Sequence, residues 1–351
     1  MKNKKLILKL IVLLIIILCI WIILKKNSGE GKLIISNVEE NSINDTNSPT
    51  IELNQEKIIL VEGADFNKAN YIKVTDDLDG DITDKVTIEG DIDTSKIGIY
   101  TIKYIAKDSS GNSSEKSQEI EVRKKLENGL PVLMYHFFYS KDDPNYAGKT
   151  PDNNVLMVEK FKEQMEYLSN ENFYFPTLDE VELYIDGKIE LPEKSVVITD
   201  DDGNHTFFAL AVPVIEELKI PVTSFVITGW YEERLDEKYE YVNYQSHSDD
   251  MHKSGASGKG AMVNWNYNDI VNDLQTSKNK IESHTGKKCT VFCYPFGHYN
   301  DTAIKALKDT GYNLAFTVEG GRVKKGADKY KLPRVRINGN TSINEFKKSV
   351  N

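Results

Sequence analysis

Hydrophobic periodicity changes once along this chain, near residue 124, and that change limits the fold more than any other feature. Before it, short runs alternate with period two, as at 58–61 (Ile-Ile-Leu-Val), 101–105 (Thr-Ile-Lys-Tyr-Ile) and 119–122 (Glu-Ile-Glu-Val). Turn formers separate them: Asp79-Gly80, Glu89-Gly90 and Gly111-Asn112. Short strands at that spacing predict a small all-β sandwich over 50–123. After the change, strands are expected over 131–135, 195–199, 221–228, 289–294 and 314–317. Helical periods fall between them, at 158–168, 207–218, 270–281 and 302–307. This is a βα repeat, α/β in class, with a mainly parallel sheet or barrel over 131–351. Residues 124–130 read as a polar linker joining the two parts.

The other end constrains topology. Residues 10–24 are apolar without a break, four lysines precede them (Lys2, Lys4, Lys5, Lys9) and two follow (Lys25, Lys26). The run approaches a bilayer-spanning length, and the lysine asymmetry places the N-terminus in the cytoplasm. Residues 1–26 are therefore expected to be a cytoplasmic tail and transmembrane signal anchor, giving a single-pass protein of the cell membrane with the rest outside. A cleaved signal peptide is the alternative, but no small-x-small site follows the run. A lipid site at Cys19 would need a smaller residue than Leu18 before it. Residues 27–49, rich in Asn, Ser, Glu and Gly, read as a linker.

The net charge is −10, and the first 26 residues hold six lysines and no acid, so subtracting those six leaves −16 on the rest. An acidic exterior excludes nucleic acid and disfavours anionic lipid as main partners. Cys289 and Cys293 sit four apart on one strand, about 13 Å between Cα atoms, too far for a disulfide. The acidic group Asp76, Asp77, Asp79 and Asp81 invites a calcium reading. It misses the EF-hand pattern because Gly80 is misplaced, and turn capping is the preferred explanation.

Chemistry concentrates after 131. In βα folds catalytic groups collect at the carboxyl ends of strands, and three clusters fall at such positions. They are Asp200-Asp201-Asp202-Gly203, the polar stretch from His247 to His252, and Tyr294-Pro295-Phe296-Gly297. Two imidazoles and a carboxylate with an open position make a hydrolytic metal site. A second carboxylate can take the water's proton, and a backbone N–H can stabilise an oxyanion.

Seven ordered segments resemble the polysaccharide deacetylases of carbohydrate esterase family four. They are PVLMYH (131–136), FKEQMEYL (161–168), VVITDDDG (196–203), PVIEELKIPVTSFVITG (213–229), SHSDDMH (246–252), YPFG (294–297) and LPRVRI (332–337). The resemblance implies a distorted (β/α) barrel and a divalent metal, zinc in the first place, with cobalt or nickel compatible. It implies Asp201 as general base and Asp202, His247 and His252 as metal ligands. The Phe296 backbone N–H would face the oxyanion, and Tyr294, Pro295, Gly297, Leu332 and Arg334 would line the substrate groove. Residues 50–123 are similar to the immunoglobulin-like repeats of bacterial surface proteins.

Two departures stand out. Asp200 occupies a place where the family usually has an aromatic residue, and no histidine follows His298. His136, His298 and His205 are the candidates for the general acid, unless Asp201 moves the proton both ways; His136 is preferred. The implied reaction is N-deacetylation of N-acetylglucosamine in an envelope polysaccharide, with peptidoglycan expected first and a poly-N-acetylglucosamine exopolysaccharide second. An inactive glycan-binding protein and an O-acetyl esterase are the other readings. Trp230 and Trp265, which flank a long polar insert over 231–268, are candidates for stacking on sugar rings.

Overall fold

The computed structural model describes residues 45–55, 57–145, 152–255 and 258–351. The chain divides into Met1–Thr46 and Asn47–Asn351, and every element named below belongs to the second unit. The expected anchor over 1–26 and most of the 27–49 linker lie outside the described residues. Among the described residues, no helix is long and apolar enough to cross a membrane.

The period-two segment forms two sheets. One joins β1 (Thr50–Leu53), β3 (Ile72–Asp76) and β4 (Gly80–Asp81) in the order β1-β3-β4. The other joins β2 (Lys57–Val61), β5 (Thr87–Glu89), β6 (Gly98–Lys107) and β7 (Ser113–Arg123) in the order β2-β7-β6-β5. Alternation decides the inner face: Ile102, Tyr104 and Ala106 of β6 are buried and pack with Ile120 and Val122 of β7 and with Ile72 and Val74 from the other sheet. This is the expected sandwich.

Seven parallel strands close into a barrel in the order β11-β12-β13-β14-β15-β16-β8. They are β8 (Val132–Tyr135), β11 (Val197–Asp202), β12 (Val222–Val226), β13 (Val242–Ser246), β14 (Val291–Cys293), β15 (Leu314–Gly320) and β16 (Leu332–Arg336). A short parallel pair, β9 (Phe137–Tyr139) and β10 (Val155–Met157), lies beside it in sequence. Strand parity sorts the core. Val132, Val197, Phe225, Val291, Leu314 and Leu332 form one cluster, which fills the barrel. Their neighbours Leu133, Ile198, Val226, Phe292 and Ala315 belong to a second cluster beneath the outer helices. Those helices include α1 (Val158–Asn170), α3 (Val212–Leu218), α5 (Tyr267–Thr285), α6 (Asp301–Asp309) and α7 (Ile343–Val350). Helix α2 (Leu178–Ile185) packs with the lumen cluster instead, and α4 (Thr228–Tyr231) is a single turn after β12.

Three sequence expectations change. The helix expected over 207–218 is a wide π turn, Phe207–Ala211, running into α3. Pro213, which has no N–H to donate, falls where the π turn passes into α3. The polar insert over 231–268 contains β13, a barrel strand with a buried face that its polar residues Asn243, Gln245 and Ser246 concealed. Residues 124–130 are not a free tether: Leu126 N–H donates to Leu191 O at 2.7 Å, and Glu193 N–H donates to Lys124 O at 2.8 Å. Cys289 and Cys293 are free and buried, as their spacing required.

Candidate active site

The parity that sorts the core also sorts three consecutive aspartates. Val197 and Thr199 face the lumen, so Asp201 does too; Ile198 faces outward, and so does Asp200. Asp201 meets Arg334, which projects inward from β16, in a two-pronged ion pair with both distances 2.7 Å. Arg334 also donates to Thr317 O at 2.9 Å, to Thr199 Oγ1 at 3.0 Å and to Cys293 Sγ at 3.1 Å. Burial would raise the Asp201 pKa, but the guanidinium charge and its hydrogen bonds outweigh burial and hold the carboxyl well below the usual range.

Asp200 is fully buried on the outer side and accepts a hydrogen bond from Ser224 Oγ at 3.0 Å, while its Oδ1 has no partner. Burial lifts its pKa far above the ordinary value and the charges of Asp201 and Asp202 add to the lift, although the Ser224 bond opposes it. Burial thus favours the neutral form of Asp200.

Asp202 ends β11 with φ +75°, a left-handed backbone that breaks the strand's alternation and turns its carboxylate to the mouth of the barrel. Ser248 (φ +80°) and Phe296 (φ +58°) share that conformation. Three of the six non-glycine left-handed residues among the described ones thus gather here, where strain commonly accompanies function. His247 follows β13, and its ring Nδ1 lies 2.8 Å from Cys293 O. A carbonyl only accepts, so Nδ1 carries a proton and Nε2 is the nitrogen turned toward Asp202. That Nε2 lies 3.5 Å from Asp202 Oδ1, and His252 Nε2 lies 3.3 Å from the same oxygen. Burial and the neighbouring His247 push His252 down to about 4, which keeps its imidazole neutral.

These three donors fit a divalent metal. Ligands placed about 2.0 Å from a tetrahedral zinc lie roughly 3.3 Å apart, and two nitrogens with one carboxylate oxygen are a zinc-type set. A second group, Asp201, His247 and Cys293, also converges. Arg334 already engages both its carboxylate and its sulfur, so it is a poor metal site.

The donors open into a cleft of about 490 Å³ whose lining includes His136, Asn154, Trp230, Phe296, His298 and Arg336. Trp230 and Phe296 are half exposed, and their rings stand 5.5 Å and 4.6 Å from His252. His136 Nε2 is 3.8 Å from Asp201 Oδ2, and burial lowers its pKa against the pull of Asp201 and Asp202. The turn at Phe296 is closed by the N–H groups of Gly297 and His298, which leaves the Phe296 N–H outside it. Gly297 is left-handed (φ +72°), and a Cβ there would collide with Val318.

Asp201, Asp202, His247, His252, His136 and Phe296 are thus brought together. Tyr294 borders the cleft but is buried and donates to Tyr330 O at 3.0 Å, and Pro295 and Gly297 are buried supports of the turn. Two expectations are corrected: Leu332 is a lumen core residue, and Arg334 lies fully buried beneath Asp201, so neither lines the groove. Inward parity on a closed barrel puts both out of a substrate's reach. His205 is exposed and does not line the cleft, whereas His298 does. Trp265 packs against the outer core. Sequence reasoning missed Arg336 and Asn154, which line the cleft and share a hydrogen bond of 2.7 Å. Arg336 is legible only as the second arginine of its strand, and Asn154 only through folding.

Residues 188–315 match the family model for polysaccharide deacetylases, and residues 51–122 match a bacterial surface protein immunoglobulin-like domain. A poly-β-1,6-N-acetyl-D-glucosamine N-deacetylase of Staphylococcus epidermidis is 29% identical over 244 residues, spanning 63% of this chain and 84% of that protein. A Staphylococcus aureus protein of the same name is 28% identical over 229 residues, spanning 61% and 76%. The solved structure of IcaB from Ammonifex degensii aligns with TM-score 0.54 at 25% identity, covering 64% of this chain and 97% of that one. A Streptococcus pyogenes deacetylase solved with acetate shares the fold, with TM-score 0.57 at 20% identity, covering 65% and 100%. The chain therefore carries a polysaccharide deacetylase domain together with a bacterial surface immunoglobulin-like domain, and it is a carbohydrate-deacetylating hydrolase.

Proposed function

We propose that the chain removes N-acetyl groups from a poly-N-acetylglucosamine exopolysaccharide. The names of the curated relatives favour this polymer over peptidoglycan, the substrate expected first. The observation that carries the chemistry is the convergence of Asp202, His247 and His252 beside an Asp201 kept anionic by Arg334. Asp202, His247 and His252 would hold a divalent metal, zinc by donor type, which when bound polarises a carbonyl and acidifies water.

Each remaining role falls to a residue of this chain. Asp201 accepts the proton of the attacking water. Its low proton affinity, set by Arg334, means that the proton is passed on and not kept. His136, neutral and 3.8 Å away, is the next acceptor and delivers the proton to the departing amine. The Phe296 N–H stabilises the oxyanion as water adds to the acetyl carbon. The carbon–nitrogen bond then breaks, leaving acetate and a free amine on the sugar. Trp230 and Phe296, both beside His252, offer aromatic surface to the pyranose.

The test is acetate release by the zinc-loaded protein from poly-β-1,6-N-acetylglucosamine and from purified peptidoglycan in parallel, with Asp201→Asn and chelator as controls. Release from the first polymer that both controls abolish supports the proposal. Preference for peptidoglycan restores the earlier expectation. No release from either, with metal bound, points to the inactive glycan-binding reading. In His136→Phe, unchanged turnover would remove that residue from the mechanism and leave His298 or Asp201 to protonate the amine.

A further inference from the structure

The acidic run of the immunoglobulin-like domain does not act as one unit. Asp79 accepts from Ser109 N–H and Ser109 Oγ, both at 2.7 Å, and Asp81 accepts from Thr83 N–H at 3.0 Å. Asp77 is exposed and bonds Asn47. These three fit turn capping. Asp76 differs. It is 9% exposed; its Oδ1 accepts the N–H groups of Leu78 and Asp79 at 3.0 and 2.9 Å, and its Oδ2 is buried with no partner.

Facing it is Asp108, 7% exposed, at the end of β6. Asp108 Oδ1 accepts from Gly111 N–H at 2.6 Å and Asn112 N–H at 2.8 Å. Asp76 ends β3 of one sheet and Asp108 directly follows β6 of the other, yet carboxylate oxygens of the two lie within 4.8 Å of each other. Neither forms a salt bridge among the described residues, so no lysine or arginine neutralises the pair. Two buried carboxylates at that separation repel each other, and a cation between them would relieve the repulsion. An oxygen-only set of carboxylates, open to completion by carbonyls and water, suits a hard cation of the calcium class.

We propose that Asp76 and Asp108 bind a calcium ion that joins the two sheets at the end of the sandwich where the β3–β4 and β6–β7 turns meet. The Asp79–Ser109 hydrogen bonds already hold those turns together, so the ion enters a prearranged place. This site is separate in residues and in chemistry from Asp202, His247 and His252, which offer two nitrogens.

The test is calorimetric titration of calcium into the full-length protein loaded with one equivalent of zinc. One calcium per chain is expected, with a dissociation constant of roughly 0.1–1 mM, the range of extracellular calcium modules. Asp76→Asn, isosteric and retaining an acceptor for the turn, is expected to weaken it more than about tenfold and to leave acetate release unchanged. Amide hydrogen exchange on the unaltered protein localises the ion without any variant: added calcium should protect residues 76–81 and 108–112. Absence of binding at about 10 mM calcium, ten times the weak end of that range, would overturn the site. Unweakened binding by folded Asp76→Asn, or protection confined to other residues, would overturn it equally.

Discussion

Arg334 is the largest fully buried side chain among the described residues, and its charge is spent on one neighbour. Replacing it by Met leaves Asp201 buried and unpaired, which typically costs about 3–5 kcal/mol. The sign of the pH dependence follows. With Arg334 present, the folded-state pKa of Asp201 lies below the unfolded value of about 3.9, so its stabilisation is full above that value and is lost as pH falls through the folded one. Without Arg334 burial alone acts, and the folded pKa rises. Urea unfolding of Arg334→Met should therefore show a large deficit at pH 7 that narrows toward pH 4, with acetate release lost throughout. A constant deficit across that range would mean that the arginine acts by packing alone. Asp200 has the opposite sign. Its pKa is raised, so stability is full below about 3.9 and declines as pH rises toward the folded value. Asp200→Asn should flatten that decline and gain on the parent between pH 4 and pH 7. Its turnover should stay within a few-fold, whereas Asp201→Asn loses roughly 10²–10⁴-fold, the usual worth of a general base. Loss of turnover in Asp200→Asn would instead place it in the machinery.

At the level of elements, the site is made by what ends the strands. Strand β11 alone would send Asp202 outward with Asp200; the left-handed backbone at Asp202 and the glycine after it redirect it. Gly203 has φ +63°, and a Cβ there would stand 2.8 Å from Val226 Cγ2. Gly203→Ala should destabilise by more than about 1 kcal/mol and weaken zinc affinity, because the strained turn holds Asp202 against the histidines. Zinc competition with a chromogenic chelator measures this, and unchanged affinity would show that Asp202 is held by β11 and β12 alone. The π turn before α3 and the polar strand β13 show the converse case. Local propensity disfavours each: barrel closure imposes β13, and the π turn falls just before Pro213.

For the whole molecule, the two domains are joined by more than chain continuity. Arg123 donates from its Nη1 to Asn172 O at 2.7 Å, Lys125 forms an isolated bridge with Pro192, and Leu126 packs on the lumen cluster. A fragment beginning at 130 loses all three, each hydrogen bond being worth about 1 kcal/mol. For a domain of this size that lowers Tm by roughly 5 °C or more relative to a fragment beginning at 47. Calorimetric scans compare them, and equal melting of the barrel in both would make the sandwich an independent module. The anchor expected at 1–26 is tested separately, by protease treatment of intact cells: digestion of residues 50–351 with retention of the N-terminus in the membrane is the outcome expected of the single-pass arrangement.

Much of this protein is determined by local sequence. The switch from period two to a βα repeat separates sandwich from barrel, because side-chain periodicity is a property of a few adjacent residues. The donor types also announce a hydrolytic metal site, since chemistry belongs to the residue wherever it is placed. Tertiary structure alone decides which aspartate does what. Asp200, Asp201 and Asp202 are identical and adjacent, yet burial pushes one toward its neutral form, an arginine holds one as an anion and one faces two histidines. Their environments are set by Ser224, Arg334, His247 and His252, which lie 24, 133, 45 and 50 residues along the chain from their partners. Closure of the barrel is what gives Arg334 to Asp201 and withdraws it from the groove, and the meeting of two sheets is what sets Asp76 against Asp108. Burial and charge pairing arise only when distant segments meet, so no window of the sequence contains them.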